Sequence, residues 1–228
     1  MTPKIIAFDA DDTLFVNEPY FQEVEHKFCE LMSSYLPQQE LSQELFKTEI
    51  ANLSLYGYGI KGYILSMIEA AMKISNNNVS VTIVEKIIQY GKELLQKPIE
   101  LLPNVEQTLQ TLHGKYKLVV ATKGDLKDQQ SKLHRSGLAH YFHHIEVMSD
   151  KQTTNYQHLL SRLDTKPHQF LMIGNSLKSD ILPVLNLGGF AFHIPFHTTW
   201  EHEKIHHTID HPNFKTLTTL QEALYFLD

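Results

Sequence analysis

The sequence predicts an α/β protein whose core is a doubly wound parallel sheet, with an α-helical bundle inserted after the first strand. Three observations predict it. Short unbroken apolar runs, the mark of strands buried on both faces, occur at the start and again throughout the second half. Helical patterns separate the later runs, so that strand and helix alternate. Between the first run and the others, residues 16–99 carry helical periodicity alone.

The first run covers residues 4–8 and stops at a cluster of acids. Phe21, Val24, Phe28, Leu31, Met32 and Tyr35 then recur at helical spacing, behind a cap at Asn17 with Pro19 just inside. A second helix carries Leu45, Phe46, Ile50 and Leu53, and a third Ile60, Ile64, Met67, Ile68, Ala71 and Met72. After the asparagines at 76–78 a fourth runs through Ile83, Ile87, Ile88 and Leu94, with a capping box Thr82-x-x-Glu85 and a stop at Pro98. Four amphipathic helices of this size can bury one shared core. Val105, Leu109 and Leu112 mark a further helix, and strands are predicted at 116–121, 145–148, 170–173 and 190–194. The domains expected are thus 1–15 with 100–228, and 16–99.

Composition narrows the function. Hydrophobic residues make up 42% and charged residues 20%, which excludes a disordered, collagenous or coiled-coil chain. Lys and Arg number 20 against 26 Asp and Glu, a net charge of −6. Nucleic acid and anionic membranes both select an excess of basic charge, so neither is an expected partner. Cys29 stands alone and can form neither an internal disulfide nor a cysteine zinc site. The first apolar run breaks too early for a signal peptide, and none reaches the ~18 residues of a membrane helix. A soluble cytoplasmic protein is expected, as a monomer or homodimer.

Four motifs, each at the end of a predicted strand, converge on one chemistry. In open α/β sheets the ligand site lies at those ends. The first is Asp9-Ala10-Asp11-Asp12-Thr13. Alternation along an extended chain turns Asp9 and Asp11 to one side and Asp12 away. Two carboxylates held that close repel, and need a cation between them or one shared proton. The second is Thr122-Lys123-Gly124-Asp125, whose hydroxyl and backbone N–H groups can form an anion nest. Lys151 is the third. The fourth is the stretch from Gly174 to Asp180, where Asn175 and Asp180 offer oxygen ligands suited to a hard cation. Each motif taken singly has an ordinary alternative: an acidic loop, a turn, a surface charge, or a helix start capped by Asn or Ser.

Together they resemble the haloacid dehalogenase-like (HAD) hydrolase superfamily, in its phosphatase branch with an α-helical cap of the first type. That resemblance covers essentially the whole chain and implies a Rossmann-like core. It implies that Asp9 is the nucleophile towards a small phosphorylated metabolite, forming an aspartyl-phosphate, and that Asp11 is the general acid and base. Thr122, Lys123 and Lys151 would hold the phosphate. Mg2+ would be ligated by Asp9, the backbone carbonyl of Asp11, Asn175 and Asp180. The dehalogenases of the family lack the second acid, so Asp11 argues against dehalogenation. The chain departs from the family at Asn175, where Asp is usual, and at Gln152, where Pro is common.

Other patterns compete. His202-Glu203-Lys204-Ile205-His206 matches the zinc-protease signature, but lacks the apolar periodicity of its helix and is followed by Pro212. Gly57-Tyr58-Gly59-Ile60-Lys61-Gly62 matches a dinucleotide fingerprint, yet a helical pattern precedes it where a strand is required. It is expected to be a loop in which Tyr56, Tyr58 and Lys61 select the substrate, or a plain helix connection. Beyond hydrolysis, a phosphomutase of the same superfamily or a non-enzymatic module phosphorylated on Asp remains an alternative.

Overall fold

In the computed structural model, which describes residues 3–227, the chain forms two compact units. One comprises Met1–Glu18 with Ile99–Asp228, the other Pro19–Pro98. The first contains a single sheet of β1 (Ile5–Phe8), β2 (Lys117–Lys123), β3 (His144–Met148), β4 (Phe170–Gly174), β5 (Phe190–His193) and β6 (Phe214–Thr216). All pairs are parallel, in the order β3-β2-β1-β4-β5-β6.

Strand β1 lies between β2 and β4, Phe8 facing Val120 on one side and Ile173 on the other. Its two faces enter two different apolar layers. Ile6 and Phe8 pack with Leu109, Leu118, Val120 and Ile173, while Ile5 and Ala7 pack with Val119, Tyr156, Leu159 and Met172. Burial on both faces is why the run is unbroken rather than alternating. The chain builds outward from β1 to β3 on one side, then returns to β4 and proceeds to β6 on the other. That reversal opens a crevice beyond the carboxyl ends of β1 and β4.

The helical unit contains α1 (Glu18–Leu31), α2 (Gln38–Tyr56), α3 (Ile60–Ile74) and α4 (Val81–Gln96). Phe28, Met32, Leu41, Leu45, Met67, Ala71 and Ile87 form its shared core. Each large member contributes roughly 1.5–3 kcal/mol by leaving water. In the sheet unit, α5 (Val105–Leu112), α6 (Leu126–Arg135), α7 (Thr153–Arg162) and α8 (Leu182–Asn186) connect the strands. The passes into and out of the helical unit run side by side, Val16 N–H donating to the Glu100 carbonyl and Leu102 N–H to that of Leu14. Among the described residues no helix is long and apolar enough to cross a membrane.

Several local expectations are corrected. Helix α1 ends at Leu31, not near Tyr35, and the chain turns ahead of Pro37. Before α1, Asp12 accepts from the backbone N–H groups of Asn17 and Glu18. Ser80, not Thr82, caps α4 by accepting from Ile83 N–H. Strand β6 was not predicted, being three residues at the sheet edge.

Tyr56 closes α2 and Lys61 lies in the first turn of α3, so the 56–61 loop shrinks to a turn containing Tyr58. A Cβ at Gly62 would stand 2.9 Å from the Gly57 carbonyl oxygen, so close helix packing accounts for that glycine. The Tyr56 hydroxyl donates to Glu69.

Candidate active site

Asp9 follows β1 directly, and its N–H still donates to the Ile173 carbonyl. The strand ladder therefore fixes its backbone, and its side chain emerges, buried, in the crevice. One carboxylate oxygen accepts from Lys151 Nζ, and the same ammonium donates to Asp180 Oδ1 at 2.6 Å. Lys151 is 2% exposed and Asp180 1%. Burial alone would lower the Lys151 pKa, but the Asp180 and Asp9 carboxylates outweigh it and hold the group well above the usual lysine value. Burial raises the Asp9 carboxyl to about 7; Lys151 opposes that rise, while Asp180 and Asp11 add to it. The geometry is that of a charged Lys151 between two carboxylates.

Asp180 is placed by its own segment. Ser176 caps the turn that follows β4, and Ser176 N–H donates to Asp180 Oδ2 at 2.9 Å. A π-helical turn over Leu177–Ile181 then leads into α8. A Cβ at residue 174 would stand 2.2 Å from Asp180 Oδ2, so only glycine leaves room for this carboxylate. Thr13 Oγ1 lies 3.4 Å from both Asp9 Oδ2 and Asn175 Oδ1, tying the first motif to the fourth. His193 Nε2 stands 3.0 Å from the Asn175 carbonyl, an oxygen that only accepts. Thr122 is buried at the end of β2, beside β1.

Asp11 takes a different set of partners, Lys132 Nζ on Oδ1 and Gln129 Nε2 on Oδ2. Lys123 turns to Glu203 Oε1 at 2.6 Å and Ser179 Oγ at 2.9 Å. Burial raises the Glu203 carboxyl, but the charge and hydrogen bond of Lys123, with Ser176 and Ser179, outweigh it and hold the pKa at about 2. Glu203 belongs to the protease-like pattern, yet Glu201–Glu203 is one 3-10 turn, without the helix that pattern requires.

The structure thus brings together Asp9, Lys151, Asn175 and Asp180, with Thr122 and Asp11 at adjoining strand ends. Tyr56, Tyr58 and Lys61 belong to the other unit. Gln129, Lys132 and Glu203 were missed. Gln129 and Lys132 are three apart on α6, which places them on one helix face without saying what that face meets.

Asp9, Asp180 and Asn175 carry side-chain oxygens, the donor type a hard cation takes. This donor chemistry fits Mg2+, which is commonly held by one or two carboxylates and keeps several waters. Among the described residues no group of three or more His, Cys, Asp or Glu is arranged for a metal.

A family model described as haloacid dehalogenase-like hydrolase matches residues 3–188. A haloacid dehalogenase-like family hydrolase from Xanthomonas campestris is 34% identical, covering 100% of this chain and 97% of that one, with a TM-score of 0.88. A glyceraldehyde 3-phosphate phosphatase of Methanothermobacter thermautotrophicus is 35% identical over 92 residues, 38% of this chain. That match spans only 41% of the relative's length. A 2-haloacid dehalogenase from Pseudomonas syringae pv. tomato is 16% identical over 98% of this chain and 97% of its own, with a TM-score of 0.67, a likeness of fold alone. Strand order, the acids beyond β1 and β4, and a match over most of its length make this chain a member of the haloacid dehalogenase-like hydrolase family.

Proposed function

We propose that this hydrolase is a Mg2+-dependent phosphatase that cleaves a small phosphorylated metabolite through an aspartyl-phosphate on Asp9. The observation that carries the reading is one buried ammonium, Lys151, shared by Asp9 and Asp180, with Asp11 two residues beyond Asp9. A carboxylate oxygen of Asp9 attacks phosphorus, and the ester oxygen leaves with a proton from Asp11. Asp11 then takes a proton from the water that hydrolyses the acyl phosphate. Lys151 and the Thr122 hydroxyl hold phosphoryl oxygens as their charge redistributes. Asp9, the Asp11 carbonyl, Asn175 and Asp180 would hold Mg2+, which supplies charge neutralisation. Lys123, engaged with Glu203, is assigned to positioning the Ser176–Ser179 turn. A dehalogenase on this fold expels halide, which needs no proton, and so gives the acid half of the Asp11 role no task.

Phosphate release decides the matter. With Mg2+, p-nitrophenyl phosphate and a panel of phosphorylated metabolites, including the glyceraldehyde 3-phosphate of the Methanothermobacter relative, should give many turnovers per chain. EDTA should stop them. One equivalent of phosphate per chain would indicate a phospho-Asp module. Interconversion of phosphate esters without release would indicate a mutase, and chloride from 2-chloropropionate a dehalogenase.

Asn175 supplies a neutral oxygen where a carboxylate would add charge. Asn175→Asp should tighten Mg2+ binding in the absence of substrate by about tenfold, the value of one charge-assisted contact. Calorimetric titration of both forms checks this. Equal affinities would remove Asn175 from the ligand set.

A further inference from the structure

Asp11 is held by more than its place in the chain. Lys132 Nζ donates to its Oδ1 at 2.6 Å and Gln129 Nε2 to its Oδ2 at 2.7 Å, so each carboxylate oxygen has a separate donor. Those donors are themselves committed. The Lys132 ammonium also faces Asn17 Oδ1 at 3.1 Å and Asp128 Oδ2 at 3.9 Å, and lies 5.8 Å from the centre of the Phe15 ring. It is 8% exposed although it belongs to a helix rich in surface charge. The second Gln129 N–H goes to the Lys123 carbonyl at 2.8 Å. Both partners accept only, so the amide cannot be turned over, and its Oε1 is left buried without a hydrogen bond. Gly124 lies beside this amide with a φ of +134°, which favours glycine, and a Cβ there would stand 2.9 Å from Gln129 Nε2.

We propose that Lys132 and Gln129 are positioning residues that fix the Asp11 carboxyl for proton transfer, an inference that rests on the phosphatase reading. The transfer itself is balanced within that reaction. As the Asp9 oxygen–phosphorus bond forms and the ester phosphorus–oxygen bond breaks, the Asp11 proton passes to the departing oxygen and leaves Asp11 ionised. Each oxygen of a carboxyl group has two lone-pair sites, so Asp11 can carry a proton without releasing either donor. A carboxyl free to rotate would spend little time aimed at the leaving oxygen, and a displacement of about 1 Å can cost on the order of 100-fold in rate.

The leaving group separates positioning from mere support. An alkoxide departs only with a proton, whereas p-nitrophenolate departs without one. Lys132→Met and Gln129→Leu should each lower kcat/KM for glycerol phosphate by about 100-fold, and for p-nitrophenyl phosphate by less than about tenfold. Hydrolysis of the phospho-enzyme follows the first irreversible step and does not enter kcat/KM. Gln129→Leu changes no charge, so it gives the same comparison even where the loss of buried Lys132 prevents folding. An equal fall for both esters would overturn the inference while leaving the phosphatase reading intact. A natural chain that hydrolyses neither ester would overturn that reading and this inference together.

Discussion

Asp9→Asn is expected to abolish hydrolysis of p-nitrophenyl phosphate, with a loss on the order of 10^4-fold or more, the scale seen when a covalent nucleophile is removed. The amide keeps the size of the carboxylate and can still accept from Lys151, whose other partner, Asp180, is untouched. The fold should therefore persist, and thermal unfolding of the two forms should differ by only a few degrees. An amide oxygen cannot form a stable acyl phosphate, so phosphate transferred from substrate should no longer be trapped on the protein by acid quench. Near-natural turnover by this variant would mean that another residue attacks phosphorus.

Lys151→Met has the larger effect on stability. The buried ammonium is shared between Asp9 and Asp180, and its removal leaves two carboxylates facing each other out of water. Breaking a buried pair in this way costs about 3–5 kcal/mol, because the charge that remains has lost its partner. For a chain of this size that corresponds to a fall in Tm of roughly 6–20 °C. A divalent cation bound by the same carboxylates would supply the missing charge, so Mg2+ should raise the Tm of the variant more than that of the natural protein. Scanning fluorimetry of both forms, with Mg2+ or EDTA, measures the difference. A variant as stable as the natural protein in EDTA would show that the bridge contributes nothing to the fold.

The features legible in the sequence are those written in contiguous residues. The apolar runs of β1, β2 and β4 announce themselves because those strands are buried on both faces, and their ends announce the acids. Strand β6 has only Phe214-Lys215-Thr216, too short to show a period. Ser80 went unseen because its cap bond to Ile83 competes in sequence with Thr82 and Glu85, which have the same spacing. The larger omissions are long-range. Lys132 and Gln129 occupy a helix of mostly polar residues that resembles any solvated face, and nothing local reveals that this stripe turns inward to Asp11. Glu203 was concealed differently, within a histidine-rich stretch matching another chemistry, while its partner Lys123 stands 80 positions earlier. The sequence reads Lys123 as a phosphate ligand, whereas its ammonium meets Glu203 and Ser179.

The central position of β1 has a consequence for synthesis. Ile5–Phe8 leaves the ribosome ahead of the other five strands, yet its neighbours are β2, which begins at Lys117, and β4, which begins at Phe170. At about 5–20 residues per second the nascent strand waits on the order of ten seconds or longer for the second of them. Pro19–Pro98 emerges complete in that interval, with its own apolar core, and can collapse on contacts local to it. The nascent chain must meanwhile keep an unpaired, uniformly apolar strand from joining a neighbouring copy. The acids that follow Phe8 place like charges beside that strand on every copy, so the carboxylates proposed to meet phosphate also discourage aggregation before there is a site for them to form.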